Sequence, residues 1–155
     1  LKLLCRARDD IVLLMVGSGC LKEELKKEFT ELGLKDKVRF IGEIPNTDIG
    51  KLMNSADLLV VPSRNEGRPA VVMESLSCGL PVVGTKVGGI PEILVDNSLG
   101  LLVEPDNPKA LADGILRAFD YNWDREHLNK YAQRFTWETI APQIYQVYLE
   151  LTKNL

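Results

Sequence analysis

Asp57-Leu58-Leu59-Val60-Val61-Pro62-Ser63-Arg64-Asn65-Glu66-Gly67-Arg68-Pro69-Ala70-Val71-Val72-Met73-Glu74-Ser75-Leu76-Ser77-Cys78-Gly79-Leu80-Pro81-Val82-Val83-Gly84 occupies the middle of the chain. Its first five residues, Asp57 followed by four apolar residues without period-2 alternation, have the pattern of a strand covered on both faces. Pro62 and Ser63 stop it. A polar loop, Arg64 to Pro69, precedes a predicted helix from Ala70 to Ser77, closed by Gly79. Leu80 to Gly84 is a second apolar strand. Strand, loop, helix and strand in this order make a βαβ unit, which demands parallel strands and a right-handed crossover.

The same alternation extends in both directions. Upstream, Asp10 to Val16 reads as a strand, and Cys20 to Leu32 reads as an amphipathic helix with Leu21, Leu25, Phe29 and Leu32 on one face. Gly33 caps that helix. Lys37 to Ile41 is a strand ended by Gly42, and a helix beginning at Asn46 or Thr47 carries Ile49, Leu52 and Met53. Downstream come a short helix around Pro91 to Leu94 and a strand at Gly100 to Val103. From residue 107 onward only helices follow: Pro108 to Phe119, Arg125 to Phe135 and Trp137 to Leu151. Leu1 to Ala7 reads as the last turns of a helix whose preceding strand is absent, and a chain beginning at Leu1 instead of Met reads as a piece of something longer. The fold class is therefore α/β, a mainly parallel sheet with helices on both faces. In such sheets ligands bind outside the carboxyl ends of the strands. That gathers Gly17–Gly19, Gly42–Pro45, Pro62–Pro69 and Thr85–Pro91 around one expected cleft. Residues 1–155 read as a single domain, with 107–155 its C-terminal helices.

Composition narrows the function. The chain has 155 residues, 19 Lys plus Arg and 22 Asp plus Glu, for a formal charge of −3. Apolar residues are 45 % and charged residues 26 %, the balance of a soluble globular domain. The mildly acidic total lacks the basic footprint of a nucleic-acid binder. The longest apolar run, Ile11 to Val16, is far too short to span a bilayer, and no secretion signal opens the chain. Cys5, Cys20 and Cys78 match no zinc or redox spacing, which suits a reduced, cytoplasmic chain. His127 is the only histidine. It excludes a zinc site of several histidines and speaks against a Ser-His-Asp triad.

Three constellations bear on chemistry. Gly17-Ser18-Gly19 lies between a strand and a helix, where glycine lets backbone approach a ligand. A dinucleotide fingerprint would need a third glycine where Lys22 stands, so the segment is equally well read as a tight turn. Gly79 to Lys86 imitates a P-loop, but its order is Thr85-Lys86 and it spans a strand, so that reading is rejected. The third is Glu66 to Glu74. Free N–H groups at the helix start offer an anion cradle, with a carboxylate on either side. Carboxylates beside a phosphate pocket repel unless they accept hydrogen bonds from hydroxyls, and phosphate plus polyol describes a nucleotide sugar. The structural alternative makes Glu66 an electrostatic helix cap and Glu74 a surface charge. Against it, Glu74 falls between Met73 and Leu76 in an apolar helix, where an unpaired carboxylate would be costly.

On these residues the chain resembles the retaining GT-B glycosyltransferases of family 4. Glu66 through Glu74 matches their E-x7-E motif. The likeness continues through Ala56-Asp57, Val61-Pro62-Ser63, Glu74 to Val83, Gly88-Gly89-Ile90-Pro91-Glu92 and Gly100 to Val103. Upstream it includes Val16 to Gly19 and Val38 to Gly42; downstream, Phe135-Thr136-Trp137 and Tyr148, in the same order. The resemblance implies a Rossmann-like, three-layer α/β/α lobe, the C-terminal half of a GT-B fold with its first strand missing. That lobe binds the nucleotide-sugar donor, a UDP- or GDP-sugar, and faces an N-terminal acceptor-binding lobe. The carried-over roles put Glu66 on the sugar hydroxyls, as the catalytic carboxylate, and Glu74 on the ribose. Gly67, Arg68, Pro69 and Ala70 would hold diphosphate and sugar. Ile41 and Gly42, with Glu43, would line the base, and Gly17 and Gly19 would border the nucleotide.

The resemblance implies no metal and no cofactor beyond the donor substrate. It also implies a departure. The family's diphosphate-binding Arg and Lys follow the lobe's first strand, and Arg6 and Arg8 belong to a helix end. The isolated piece is therefore expected to be inactive. The implied reaction of the parent is retaining hexosyl transfer to a glycan, lipid or small-molecule acceptor, as in polysaccharide biosynthesis, in the cytoplasm and peripheral to a membrane at most. An epimerase of nucleotide sugars on the same architecture, or a non-catalytic nucleotide-binding module, are the competing readings. Trp123, Tyr131, Trp137, Tyr145 and Tyr148 fall at helical spacing and are expected to pack, not to stack on sugars.

Overall fold

The computed structural model describes residues 1–152. Its elements alternate as the hydrophobic pattern demands. They are α1 (Leu4–Ala7), β1 (Leu13–Val16), α2 (Lys22–Glu31), β2 (Val38–Gly42), α3 (Asn46–Asn54), β3 (Leu59–Val61), α4 (Ala70–Ser77), β4 (Val82–Thr85), α5 (Ile90–Ile93), β5 (Gly100–Val103), α6 (Pro108–Asp120), α7 (Arg125–Gln133) and α8 (Trp137–Thr152). A 3-10 turn at Lys35–Lys37 leads into β2.

All strand pairs are parallel, but they form two sheets instead of the single one expected. β1 pairs with β2, while β3, β4 and β5 pair in that order. The apolar runs are longer than the strands they contain. Asp10 to Val16 yields strand only from Leu13, and Asp57 to Val61 only from Leu59. Strand extent is set by the length of the neighbour's ladder, which local pattern does not encode.

The three-stranded sheet is covered on both faces. Val82 faces a cluster with Val61 of β3, Val72 and Leu76 of α4, Ile90 and Ile93 of α5, and Leu128 of α7. Its neighbour Val83 faces the other way, toward Leu4 of α1, Ile11 ahead of β1, Val103 of β5, and Ala112 and Ile115 of α6. Every residue of β4 is buried, as continuous apolar composition requires of a central parallel strand. These two cores give the Rossmann-like three-layer order. β1 and β2 are thinner: β1 alternates half-buried and exposed, and α2 buries no residue fully. Phe29 of α2 meets Phe40 of β2 edge-on at 6.1 Å.

α7 lies against α4. Asn129 donates to the Ser77 carbonyl at 2.5 Å, and Leu128 is fully buried in the core beneath. Gly79 ends α4 in the left-handed region, and a Cβ there would meet the Arg125 carbonyl oxygen at 2.9 Å. Two constraints, conformation and space, thus select glycine at that C-cap. α8 buries none of its described residues. Trp137 is 77 % exposed, and Tyr145 and Tyr148 are exposed as well, so the expectation that these rings pack is not met. Trp123 and Tyr131 do pack: the indole donates to the Ala118 carbonyl at 2.7 Å, and the phenol to the Ile93 carbonyl at 3.0 Å.

Candidate functional site

The loop from Pro62 to Pro69 leaves the carboxyl end of β3 and enters α4. Ala70 opens the helix and Pro69 stands at its N-cap, with extended backbone. The first-turn N–H groups have no partner within the helix, while the Val72 N–H is satisfied by the Pro69 carbonyl at 3.2 Å. Proline carries no N–H, so position 69 adds shape and no donor to the expected cradle. Glu66 sits half-buried in the loop, and its carboxylate accepts from the Ser63 hydroxyl at 2.7 Å. Glu74 lies just over one turn into α4, on the exposed side, between half-buried Met73 and buried Ser75. The cost expected for a carboxylate trapped in an apolar helix therefore does not arise. The apolar face of α4 carries Val72 and Leu76 into the core, and Glu74 points elsewhere.

The loop rests on the turn after β4. The Thr85 hydroxyl, buried at the end of that strand, donates to the Ser63 carbonyl at 2.6 Å. The Gly89 N–H donates to the Gly67 carbonyl at 2.6 Å. Arg68, expected among the residues that hold diphosphate and sugar, has its guanidinium 5.7 Å from the centre of the Phe135 ring.

Gly17, Gly19, Ile41 and Gly42 assemble at the other sheet. Gly17 adopts a φ of +109° and donates to the Gly42 carbonyl at 2.8 Å. The Ser18 hydroxyl donates to the Glu43 carboxylate. Ile41 is exposed, as a residue lining an open groove would be. The predicted residues thus form two groups, each at the carboxyl ends of its own sheet: Gly17, Gly19, Ile41 and Gly42 on β1 and β2, and Glu66 through Ala70 with Glu74 on β3 and α4. Sequence reasoning placed Ser63, Thr85 and the Gly88-Gly89 pair in the cleft loops but missed their role in supporting the Glu66 loop. Two successive glycines after a strand were the available signal.

Other charged groups are engaged locally. Arg64 pairs with Asp106 at 2.6 Å and Lys86 with Glu104 at 2.6 Å, beside an open pocket of about 240 Å³ lined by Pro62, Thr85 and Leu111. Arg8 pairs with Asp10 at 2.8 Å and stacks 5.1 Å from Phe119. His127 stands outside the loop cluster, its Nε2 3.1 Å from the Ser98 hydroxyl. Ser98 gives its proton to Asp96 at 2.5 Å, so the imidazole is the donor to Ser98. The Ser98 hydroxyl and N–H hold the Asp96 carboxyl below its ordinary range. Among the described residues no His, Cys, Asp and Glu cluster is arranged to hold a metal. No described helix is long and apolar enough to cross a membrane.

A parallel α/β domain whose strand-to-helix loop carries one carboxylate, Glu66, and whose following helix carries another, Glu74, belongs to the Rossmann-like class and is consistent with one lobe of a two-lobed fold. The family model for glycosyl transferases group 1 matches residues 1–135, and the chain belongs to that family, whose members are GT-B-type enzymes of family 4. An uncharacterized glycosyltransferase of Methanocaldococcus jannaschii is 33 % identical over 146 residues, covering 91 % of this chain and 37 % of the relative. Among solved structures, sucrose-phosphate synthase from Thermosynechococcus elongatus superposes with a TM-score of 0.79 at 30 % identity, over 99 % of this chain and 42 % of that one. Anabaena HepE, solved in complex with UDP, gives 0.77 at 27 % identity, over 99 % and 43 %. The chain therefore spans about two fifths of the length of these relatives.

Proposed function

We propose that this chain is the donor-binding, C-terminal lobe of a retaining glycosyltransferase that moves a hexosyl group from a nucleotide sugar to a glycan, lipid or small-molecule acceptor. The observation that carries the reading is the pair Glu66 and Glu74 astride the N-terminus of α4. The N–H groups there suit a diphosphate, and carboxylates on either side suit the hydroxyls of sugar and ribose. The complex of the similar Anabaena protein with UDP favours uracil as the base.

In this reading the donor diphosphate lies on the Gly67 and Ala70 amides. Glu66 accepts from the sugar hydroxyls and orients the ring. Glu74 accepts from the ribose, and the groove at Gly17, Gly19, Ile41 and Gly42 takes the base. Departure of the nucleoside diphosphate leaves an oxocarbenium-like sugar. The acceptor attacks from the face the diphosphate leaves, with a diphosphate oxygen taking its proton, and anomeric configuration is retained. Positioning and electrostatics supply the rate. A further parallel strand, outside residues 1–155, joins the unpaired edges of β1 and β3 and brings cations to the diphosphate. Losing such charge stabilisation costs on the order of 3 kcal/mol in the transition state, so the 155-residue piece is inactive alone. Residues 1–155 act as one domain, with 107–155 as its helical flank. The exposed apolar stripe of α8 (Trp137, Ile144, Tyr148, Leu151) is where the acceptor-binding lobe rests. The parent works in the cytoplasm.

Calorimetric titration with UDP, GDP and ADP at low salt tests the reading. Selective binding of one nucleotide, weakened by Glu74→Ala, is expected of this chain. In a parent carrying the acceptor lobe, Glu66→Gln should suppress turnover. Nucleotide binding indifferent to Glu74→Ala would refute the assignment of the cleft.

A further inference from the structure

We infer that the turn Thr85–Gly89 acts as the template for the Glu66 loop, with Thr85, Gly88 and Gly89 as positioning residues. The inference rests on the proposed reading of that loop as the sugar-binding segment. Three contacts carry it. Thr85, 3 % exposed, holds the loop at its entry through the Ser63 carbonyl. Gly89 holds it in the middle through the Gly67 carbonyl. Gly88 lets the two backbones touch: it adopts a φ of +50°, and a Cβ on it would overlap the Glu66 carbonyl oxygen.

Gly89 has ordinary negative φ, so space alone selects glycine there: an added Cβ would meet the Gly67 carbonyl oxygen at 2.7 Å and the Arg68 Cα at 3.2 Å. Both neighbours are backbone and cannot swing aside. Ser63, fixed by Thr85, then donates to the Glu66 carboxylate at 2.7 Å. The carboxylate is thus placed by β4 and its turn, not by its own flexible loop. The N–H groups at the start of α4 are placed by the same support.

The test compares Gly89→Ala and Thr85→Val with the control Gly33→Ala, which strains a left-handed glycine (φ +69°) with nothing nearby. The first readout needs no ligand: backbone amide NMR signals over residues 63–70. Both test variants should move these signals, and the control should leave them in place. The second readout is affinity for UDP-glucose against UDP. A loop displaced by a fraction of an ångström should weaken UDP-glucose by about tenfold or more, while UDP, held mainly at Glu74, changes by about threefold or less. Unmoved 63–70 signals in both variants overturn the inference, as does equal loss of the two ligands, which marks a merely structural role. If Gly89→Ala fails to fold, the isosteric Thr85→Val decides by the same criteria. If the unmodified chain binds neither ligand, the proposed function fails in this chain, and the loop signals alone judge the positioning.

Discussion

Leu128→Ala probes the contact that holds helix α4 in place. Leu128 is 0 % exposed and projects from α7 into the core that also contains Val72 and Leu76 of α4. Truncation removes the transfer free energy of three carbons and leaves a cavity whose walls are strands and helices fixed by other contacts. The expected loss is about 3 to 4 kcal/mol. For a domain of this size each kcal/mol lowers the melting temperature by about 2 to 4 °C, so a fall of about 6 to 16 °C is expected in thermal unfolding followed by circular dichroism. Leu21→Ala is the control, since Leu21 is 57 % exposed and its loss should stay within about 0.5 kcal/mol. Equal shifts for the two variants would refute the packing of α7 on α4. Nucleotide affinity measured well below the transition should fall little if Leu128 acts only through stability.

Three further outcomes are expected. Asn107→Ala removes the side-chain oxygen that accepts from the Ala110 N–H at 2.9 Å, and denaturant unfolding should show a loss of about 1 kcal/mol. Gly114→Ala, which in an open helix would stabilise by about 1 kcal/mol, should instead destabilise by about 1 to 3 kcal/mol, because the new Cβ meets Val103 Cγ1 at 2.6 Å. Ser98→Ala should let the Asp96 carboxyl rise toward its ordinary value, read by carboxyl NMR titration. Because the folded value lies below the unfolded one, the stability this group adds is present above the ordinary carboxylate pKa and lost as pH falls through the lowered value. Ser98→Ala should shrink that acid-side loss.

The alternation of buried strand and amphipathic helix was legible because each element's period is local. Ala70–Ser77 and Gly100–Val103 were readable to the residue, bounded by Pro69, Gly79 and Gly100. The division into two sheets was not legible, since pairing depends on residues far apart in sequence. Glu66 and Glu74 were singled out by spacing and by resemblance. Their surroundings misled at Glu74, because an apolar helix of eight residues still has one side turned to solvent. Ser63 and Thr85 fell inside the expected cleft loops, but their bonding roles were not legible, as one hydroxyl beside a strand end resembles any other. Trp137, Tyr145 and Tyr148 show the limit of helical spacing, which marks a face without saying what covers it.

The seating of α7 on α4 bears on how such a lobe can be exchanged between enzymes. A graft cut after β5 would take both carboxylates and all five strands described yet leave helix α4 without Leu128 and Asn129 above it. The smallest transplantable unit therefore runs through α7, close to residue 135, where the family match also stops. Beyond that seam, the described residues of α8 contribute nothing to the cores, so recombination there can refit one such unit to different companions.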